Sequence, residues 1–472
     1  MRWKAGNRLI ALALLCNTAG AFLLFGAQAH ANGRFPQAQA IESVPGSDGK
    51  TIFMRATFGI LVSRDAGKTW RWICERAWGY EGTWDPATAV TRDGRIWVGL
   101  ERSLVSSVDG CVVDTSHELD GETVRDLTTD LDGKTLWAVT GAPDKQGAIW
   151  RREIGPKDAK FEKVGPLPES FNPSTIEVAP SKPSRLYVTG QPWETIRGWL
   201  LRSDDGGKTI VPGVGGKNDL EASGPFFLAA VDPKDPNRAL LRHLHATGSD
   251  VLLTTDGGKT LKNVLSMKSA MFGFAKSPDG MTYWAGSGLA EHGILRSTDR
   301  GEHFEEVARH GVLCLHAAPG DRLFLCENTF SVDAKTVSLS LDRGKTITPI
   351  ASFKDILGPQ TCDAGADGGA ALCDAVWPET LAMLTPREAG APDAGARKRR
   401  RDAGAGEAGA DVTEAAPRPK STCGCIGAGI DSGLDHRWLS AGLLPLAAWA
   451  RARRRPGSRA TGGGADSPRD AG

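Results

Sequence analysis

One short pattern recurs through the middle of the chain and constrains its fold more than any other feature. It is an apolar strand, then Ser/Thr-x-Asp-x-Gly-x-Thr, then a second strand. Five copies are clear, marked by Asp65 and Gly67, Asp205 and Gly207, Asp256 and Gly258, Asp299 and Gly301, and Asp342 and Gly344. A degenerate copy carries Asp109, and a nearly erased one lies around Glu153. The key positions are spaced by 44, 44, 52, 51, 43 and 43 residues, the length of one four-stranded propeller blade. A second signal keeps the same count. Upstream of each copy is a hairpin turn, as at Asp48-Gly49, Asp93-Gly94, Asp132-Gly133, Pro183-Ser184, Asp235-Pro236, Asp279-Gly280 and Pro319-Gly320, the residue types that reverse a chain between strands. The chain therefore reads as all-β, a seven-bladed β-propeller with four-stranded antiparallel blades over 40–355.

The chemistry of the repeat is local. Its Asp carboxylate can accept backbone N–H bonds across the turn between the two outer strands of a blade. Its Gly reaches backbone angles that a Cβ would forbid. Trp70 and Phe304, just beyond two of the turns, are expected to pack between blades. The octet resembles the Asp-box, or BNR repeat, of sialidase-type propellers. The nearest resemblance is to non-catalytic members, the photosystem II assembly-factor type and the sortilin-type domain, which use the ring as a binding platform. On this reading the repeated Asp residues are structural, since each sits on a separate blade at the outer rim.

Both ends read as addresses. Arg2, Lys4 and Arg8, an apolar stretch from Leu9 to Ala27, and Ala29-His30-Ala31 form a secretory signal over 1–31, to be removed by signal peptidase. After the ring comes a Cys-containing extension over 356–385, then an Ala/Gly/Asp-rich stretch over 386–421 with nothing to bury, expected to be a disordered linker. Cys423 and Cys425, the apolar run 438–450 and the cluster Arg451, Arg453, Arg454 and Arg455 follow within 422–455, and 456–472 is a polar tail expected to be disordered. Thirteen residues are too few to span a bilayer comfortably. The order of Cys motif, apolar run and Arg cluster resembles the C-terminal sorting signal of myxobacterial surface proteins. That resemblance implies a processing protease and display on the surface of a Gram-negative cell.

Charge excludes one class of partner. The whole chain has 57 basic and 56 acidic residues, but residues 32–386 alone carry 39 basic and 46 acidic. A mildly acidic body argues against nucleic acid. A secreted chain keeps disulfides, and Cys74, Cys111, Cys314, Cys326, Cys362 and Cys373 are the candidates. Six cysteines allow 15 connectivities. Pairing of neighbours favours Cys74–Cys111, Cys314–Cys326 and Cys362–Cys373, the second bracketing the turn at Pro319-Gly320-Asp321. Zinc is the alternative use, but no CxxC pair precedes the tail, and no metal or cofactor is expected.

Ligands of a propeller gather where the blade-to-blade connections and the second-to-third-strand loops converge. Here those loops offer Trp78, Tyr80 and Trp84, then Trp193, Glu194 and Arg197, then Glu291 and Glu327. Aromatics with carboxylates and Arg suit sugars or peptides. The competing reading makes Trp78 and Trp84 a plug between blades one and two. His243 and His245 share one strand face and, with Glu291 and His292, could hold a metal, but lone His pairs usually do not. A sialidase needs three Arg, an Asp acid/base and a Tyr–Glu pair. Arg34-Phe35-Pro36 is a weak match to the family's Arg motif, Tyr187 and Tyr283 fall at packing positions, and only Tyr80 lies in a loop. The reading is an exported, non-catalytic protein- or glycan-binding platform. The alternatives are a glycoside hydrolase, which needs acidic pairs facing each other across the channel mouth, and a structural envelope protein with no discrete ligand; whether Tyr80, Glu194, Arg197 and Glu327 converge separates them.

Overall fold

The structure is a computed structural model, and it describes residues 35–81, 84–213, 224–327, 335–362 and 369–385. The signal over 1–31, the linker, Cys423, Cys425 and the rest of the C-terminal tail lie outside these residues.

Seven four-stranded antiparallel sheets follow one another along the chain, each formed by four consecutive strands. The blades occupy 38–74, 88–115, 124–166, 171–212, 226–267, 271–308 and 312–351. The first strand of each is innermost. Second strands carry the large side chains that fill the space between blades: Trp97, Tyr187 and Tyr283 are almost wholly buried. Their polar atoms are handled locally, with Trp97 Nε1 donating to Thr91 Oγ1 at 3.0 Å and the Tyr187 hydroxyl to the Pro236 carbonyl at 2.6 Å.

The repeated turns hold their shape through one carboxylate each. Asp65 Oδ1 accepts the amides of Lys68 and Thr69 at 3.0 and 2.9 Å, and Oδ2 accepts the Thr69 hydroxyl at 2.7 Å. The Ser63 hydroxyl accepts the Gly67 amide at 2.8 Å. The pattern returns at Asp205, Asp256, Asp299 and Asp342. In the degenerate copy Asp109 accepts the Cys111 amide at 2.8 Å and the Ser107 hydroxyl at 3.3 Å, and Glu153 instead pairs with Arg151. The glycine has a double reason. Gly258 has φ of +86°, and a Cβ there would stand 2.7 Å from Leu200 Cδ2 of the preceding blade. Five of the turns are also bonded through the backbone to the hairpin turn upstream, as Gly206 N donates to Ser184 O and Gly257 N to Asn237 O. Both turn sets therefore lie at one end of the ring, leaving the other end to the blade-to-blade connections and the second-to-third-strand loops.

Among the described residues no strand is shared between the first and last blades. Their inner strands, Ala38–Ser43 and Val312–Ala318, meet through side chains, with Ser43 Oγ 2.7 Å from His316 Nε2. The segment after blade seven then crosses to blade one. Leu357 N donates to Trp70 O, Trp72 N to Gly358 O, and Gln360 N to Trp72 O, which lays residues 357–360 along the outer strand Arg71–Cys74. A helix, α1 (Gly369–Leu384), follows and packs on that strand and on the 3-10 turn Glu75–Trp78, with Trp377 and Trp72 ring centroids 5.4 Å apart.

This crossing corrects two of the three expected disulfides. The bonds are Cys74–Cys373, Cys111–Cys362 and Cys314–Cys326. Only the last joins neighbours, across paired strands of one blade. Neighbour pairing fails for the others because closure of the ring returns the 356–385 extension to blades one and two, bringing together cysteines 299 and 251 residues apart.

Candidate functional site

The loops that carry the sequence-derived candidates have different structural roles. Trp78 is 1% exposed and belongs to the core shared by blade one and α1, and Tyr80 is 7% exposed. Tyr80 and Trp84 pack on one another, with centroids 5.7 Å apart. Blade four's loop is different. Trp193 is half-buried with the Arg125 guanidinium 5.3 Å from its ring, while Glu194, Ile196 and Arg197 are exposed. Arg125 is aimed by its Nε, which donates to Gly141 O at 2.8 Å. Burial pulls its guanidinium below the usual range, and the charge of Glu101 opposes this.

Glu291 is exposed in blade six's loop, near His292 at 3.7 Å. Glu327 is buried in blade seven, where it accepts from Ser338 and meets His310 Nε2 at 3.2 Å. Burial pushes its carboxyl up, but His310 and Ser338 outweigh this and hold it below the usual range. Tyr80 follows blade one, Glu194 and Arg197 belong to blade four and Glu327 to blade seven, so they occupy three separate sectors of the ring.

His243 and His245 do share a face, and both stand 3.5 Å from Asp250. His243 is buried edge-on against Phe226, and burial holds its imidazole below the usual range despite Asp250. Among the described residues, no group of three or more His, Cys, Asp or Glu side chains is arranged to hold a metal ion.

Sequence reasoning missed a polar lining on the inner strands. Glu42, Asp126 and Glu177 come from the inner strands of blades one, three and four, with Lys276 on that of blade six and His316 on that of blade seven. Burial pushes Asp126 up to about 8, and nearby Glu177 and Glu42 add to this against the Ile176 amide it accepts at 2.8 Å. Burial pushes Glu42 up to about 7, against the pull of Arg55. Glu177 is raised by burial against Lys276, and Lys276 is lowered by burial against Glu177. Burial brings His316 down to about 4. The available signal was a titratable residue in five of the seven first strands, those of blades two and five carrying none. Beside Glu42 lies a cavity of about 10 Å³, lined also by Arg55, Thr88 and Ile96, room for a single water.

No family model matches the chain, and no curated protein matches it. Among solved structures it is similar to an ancestral GH74 enzyme (12% identity, TM-score 0.48), covering 67% of this chain and 46% of that one. It is also similar to the GH74 enzyme of Niastella koreensis (14%, TM-score 0.31, covering 67% and 64%) and to YCF48 from Cyanidioschyzon merolae (13%, TM-score 0.41, covering 61% and 92%). The chain spans about half the length of the first and under two thirds of the second. The chain is a seven-bladed β-propeller. Likeness at this level says nothing of its chemistry, because one ring serves enzymes and non-catalytic propellers alike.

Proposed function

We propose that this is an exported, cell-surface propeller of the Asp-box type that binds a protein or glycan and performs no chemistry on it. The observation that carries the reading is the blade-four loop. Trp193 has Arg125 over its ring, and exposed Glu194, Ile196 and Arg197 follow it in the same loop, on the end of the ring away from the Asp turns. A rigid indole beside mixed charges stacks on a sugar face or receives an apolar side chain at small entropic cost. Three disulfides are consistent with an extracellular location. The C-terminal Cys423-Gly424-Cys425, apolar run and Arg cluster are proposed as the surface-sorting signal, with a protease as processing partner.

The test is a paired screen of the oxidised protein and its Trp193→Ala variant against a glycan array and a library of displayed peptides. The reading expects ligands that the variant loses while its melting temperature stays near that of the parent. Identical binding profiles for the two proteins, or turnover of any bound glycan, would overturn it.

A further inference from the structure

Among the described residues the ring has no exchanged strand to lock its ends, and what replaces one is chemically distinctive. We infer that the segment following blade seven is a redox-locked clasp whose two disulfides open in a set order, the Cys111–Cys362 bond first and the Cys74–Cys373 bond second.

The first support is topological. Blade one is built wholly from 38–74 and blade seven wholly from 312–351, so side chains join them, as where Ser43 meets His316, Arg322 donates to the Asp48 carbonyl and Gly67 lies against Ile350. The crossing segment adds three backbone hydrogen bonds to blade one, from Leu357, to Trp72 and from Gln360, at 3.0, 3.0 and 2.7 Å. The two disulfides then enclose nearly the whole ring in covalent loops. Constraint of the unfolded chain grows with loop length, so these two bonds restrict it far more than Cys314–Cys326, which closes a loop of 12.

The second support is access. Cys362 is half-buried, whereas Cys74 and Cys373 are each 2% exposed and Cys111 is 5% exposed. Cys373 lies on the buried side of α1, whose Trp377 covers Trp72, and its sulfur accepts the Cys74 amide at 3.0 Å. Thiol–disulfide exchange needs a line of approach to one sulfur. Cys362 is the least buried of the four residues, so exchange is inferred to begin there and to reach Cys74 and Cys373 only after the crossing segment lifts.

The reductant is a dithiol. One of its thiolates attacks Cys362 Sγ, the S–S bond breaks, and Cys111 leaves as a thiolate that takes up a proton. The second thiol of the reagent then closes the reagent's own disulfide and releases Cys362 as a thiol. Two electrons pass from reagent to protein. The same sequence then opens Cys74–Cys373.

The experiment treats the full oxidised chain with dithiothreitol, quenches aliquots by alkylation, and reads both the labelled cysteines and amide exchange by mass spectrometry. Cys111 and Cys362 should become labelled at least tenfold faster than Cys74 and Cys373, with Cys314 and Cys326 no faster than the second pair. Protection at Leu357, Trp72 and Gln360 should fall at least tenfold once both clasp bonds are open, while blades three to five keep theirs. In a Cys111→Ser/Cys362→Ser variant, Cys74–Cys373 should open as fast as Cys111–Cys362 does in the parent. Opening of Cys74–Cys373 first, simultaneous loss of all three bonds, or full protection at Leu357 and Gln360 after both have opened would overturn the clasp. If the double variant does not fold, the order of opening in the parent chain decides alone.

Discussion

The carboxylate of Asp126, on the inner strand of blade three, accepts the main-chain amide of Ile176 on the inner strand of blade four at 2.8 Å. An acidic group thus serves as the bond between neighbouring blades while burial and two other carboxylates disfavour its charge.

That relationship gives stability a pH slope. The folded-state values of Asp126 and Glu42 are raised, to about 8 and about 7. The native state therefore holds more protons than the unfolded state between the ordinary carboxylate range and those values, and stability falls as pH rises through that window. His316, lowered to about 4 from 6.5, acts oppositely but only below 6.5. Thermal melting should therefore fall between pH 6.5 and about 8. Asp126→Asn keeps an acceptor for Ile176 and removes the charge. It should flatten that slope and raise Tm near pH 8, at roughly 2–4 °C for each kcal/mol recovered. An unchanged slope in the variant would remove Asp126 as its source.

The Asp turns titrate at the other extreme. Asp256 is held at about 2, because hydrogen bonds to Thr260, Thr254 and Lys259 outweigh a desolvation that pushes the other way. Its contribution is complete above the ordinary Asp value and is lost as pH falls towards 2. Asp256→Ala should cost about 1–2 kcal/mol in denaturant unfolding at neutral pH, the range for bonds to an ionised acceptor trimmed by its solvent exposure. It should leave ligand affinity unchanged, since the turn is at the far end of the ring.

Two tryptophans proposed together from sequence should separate cleanly. Trp78→Ala removes a buried side chain from the seam between blade one and α1, and a loss of roughly 3–5 kcal/mol is expected. Trp193→Ala should cost about 1 kcal/mol, the scale of a stacked Arg–Trp contact, yet abolish binding. Equilibrium unfolding with the paired screen measures both.

His243 offers a second pH test. Its folded-state value is lowered by burial, so it contributes stability above the ordinary imidazole range that is lost as pH falls below 6.5. Its Nε2 finds no hydrogen-bond partner among the described residues. His243→Phe removes that buried polar atom and should hold or raise stability, by up to about 1 kcal/mol. It should also weaken the acid dependence, as followed by circular dichroism melts between pH 5 and 7.

The blades were legible because their signal is local and repeated. The Asp turn and the upstream hairpin turn each need particular residues within a few positions, and the structure joins them by backbone bonds such as Gly257 N to Asn237 O. The candidate site was less legible. Trp78 and Trp193 look alike in sequence, each an indole in a loop between strands. One is buried because a helix some 300 residues later lies across it, and the other is only half-buried, with the Arg125 guanidinium over its ring. Glu327 looks like a free loop carboxylate until His310, from the preceding connection, is placed beside it.

Sequence by itself therefore determined the repeat, the number of blades and which residues make the turns, since these follow from backbone geometry within a few residues. Tertiary structure decided the rest: the partners of Cys74 and Cys111, the burial of Trp78 and Tyr80, and the raised carboxylates of the inner strands. Each depends on closing the ring. Closure brings residues hundreds of positions apart within bonding distance and places charged groups of different blades around one axis, and no local pattern encodes it.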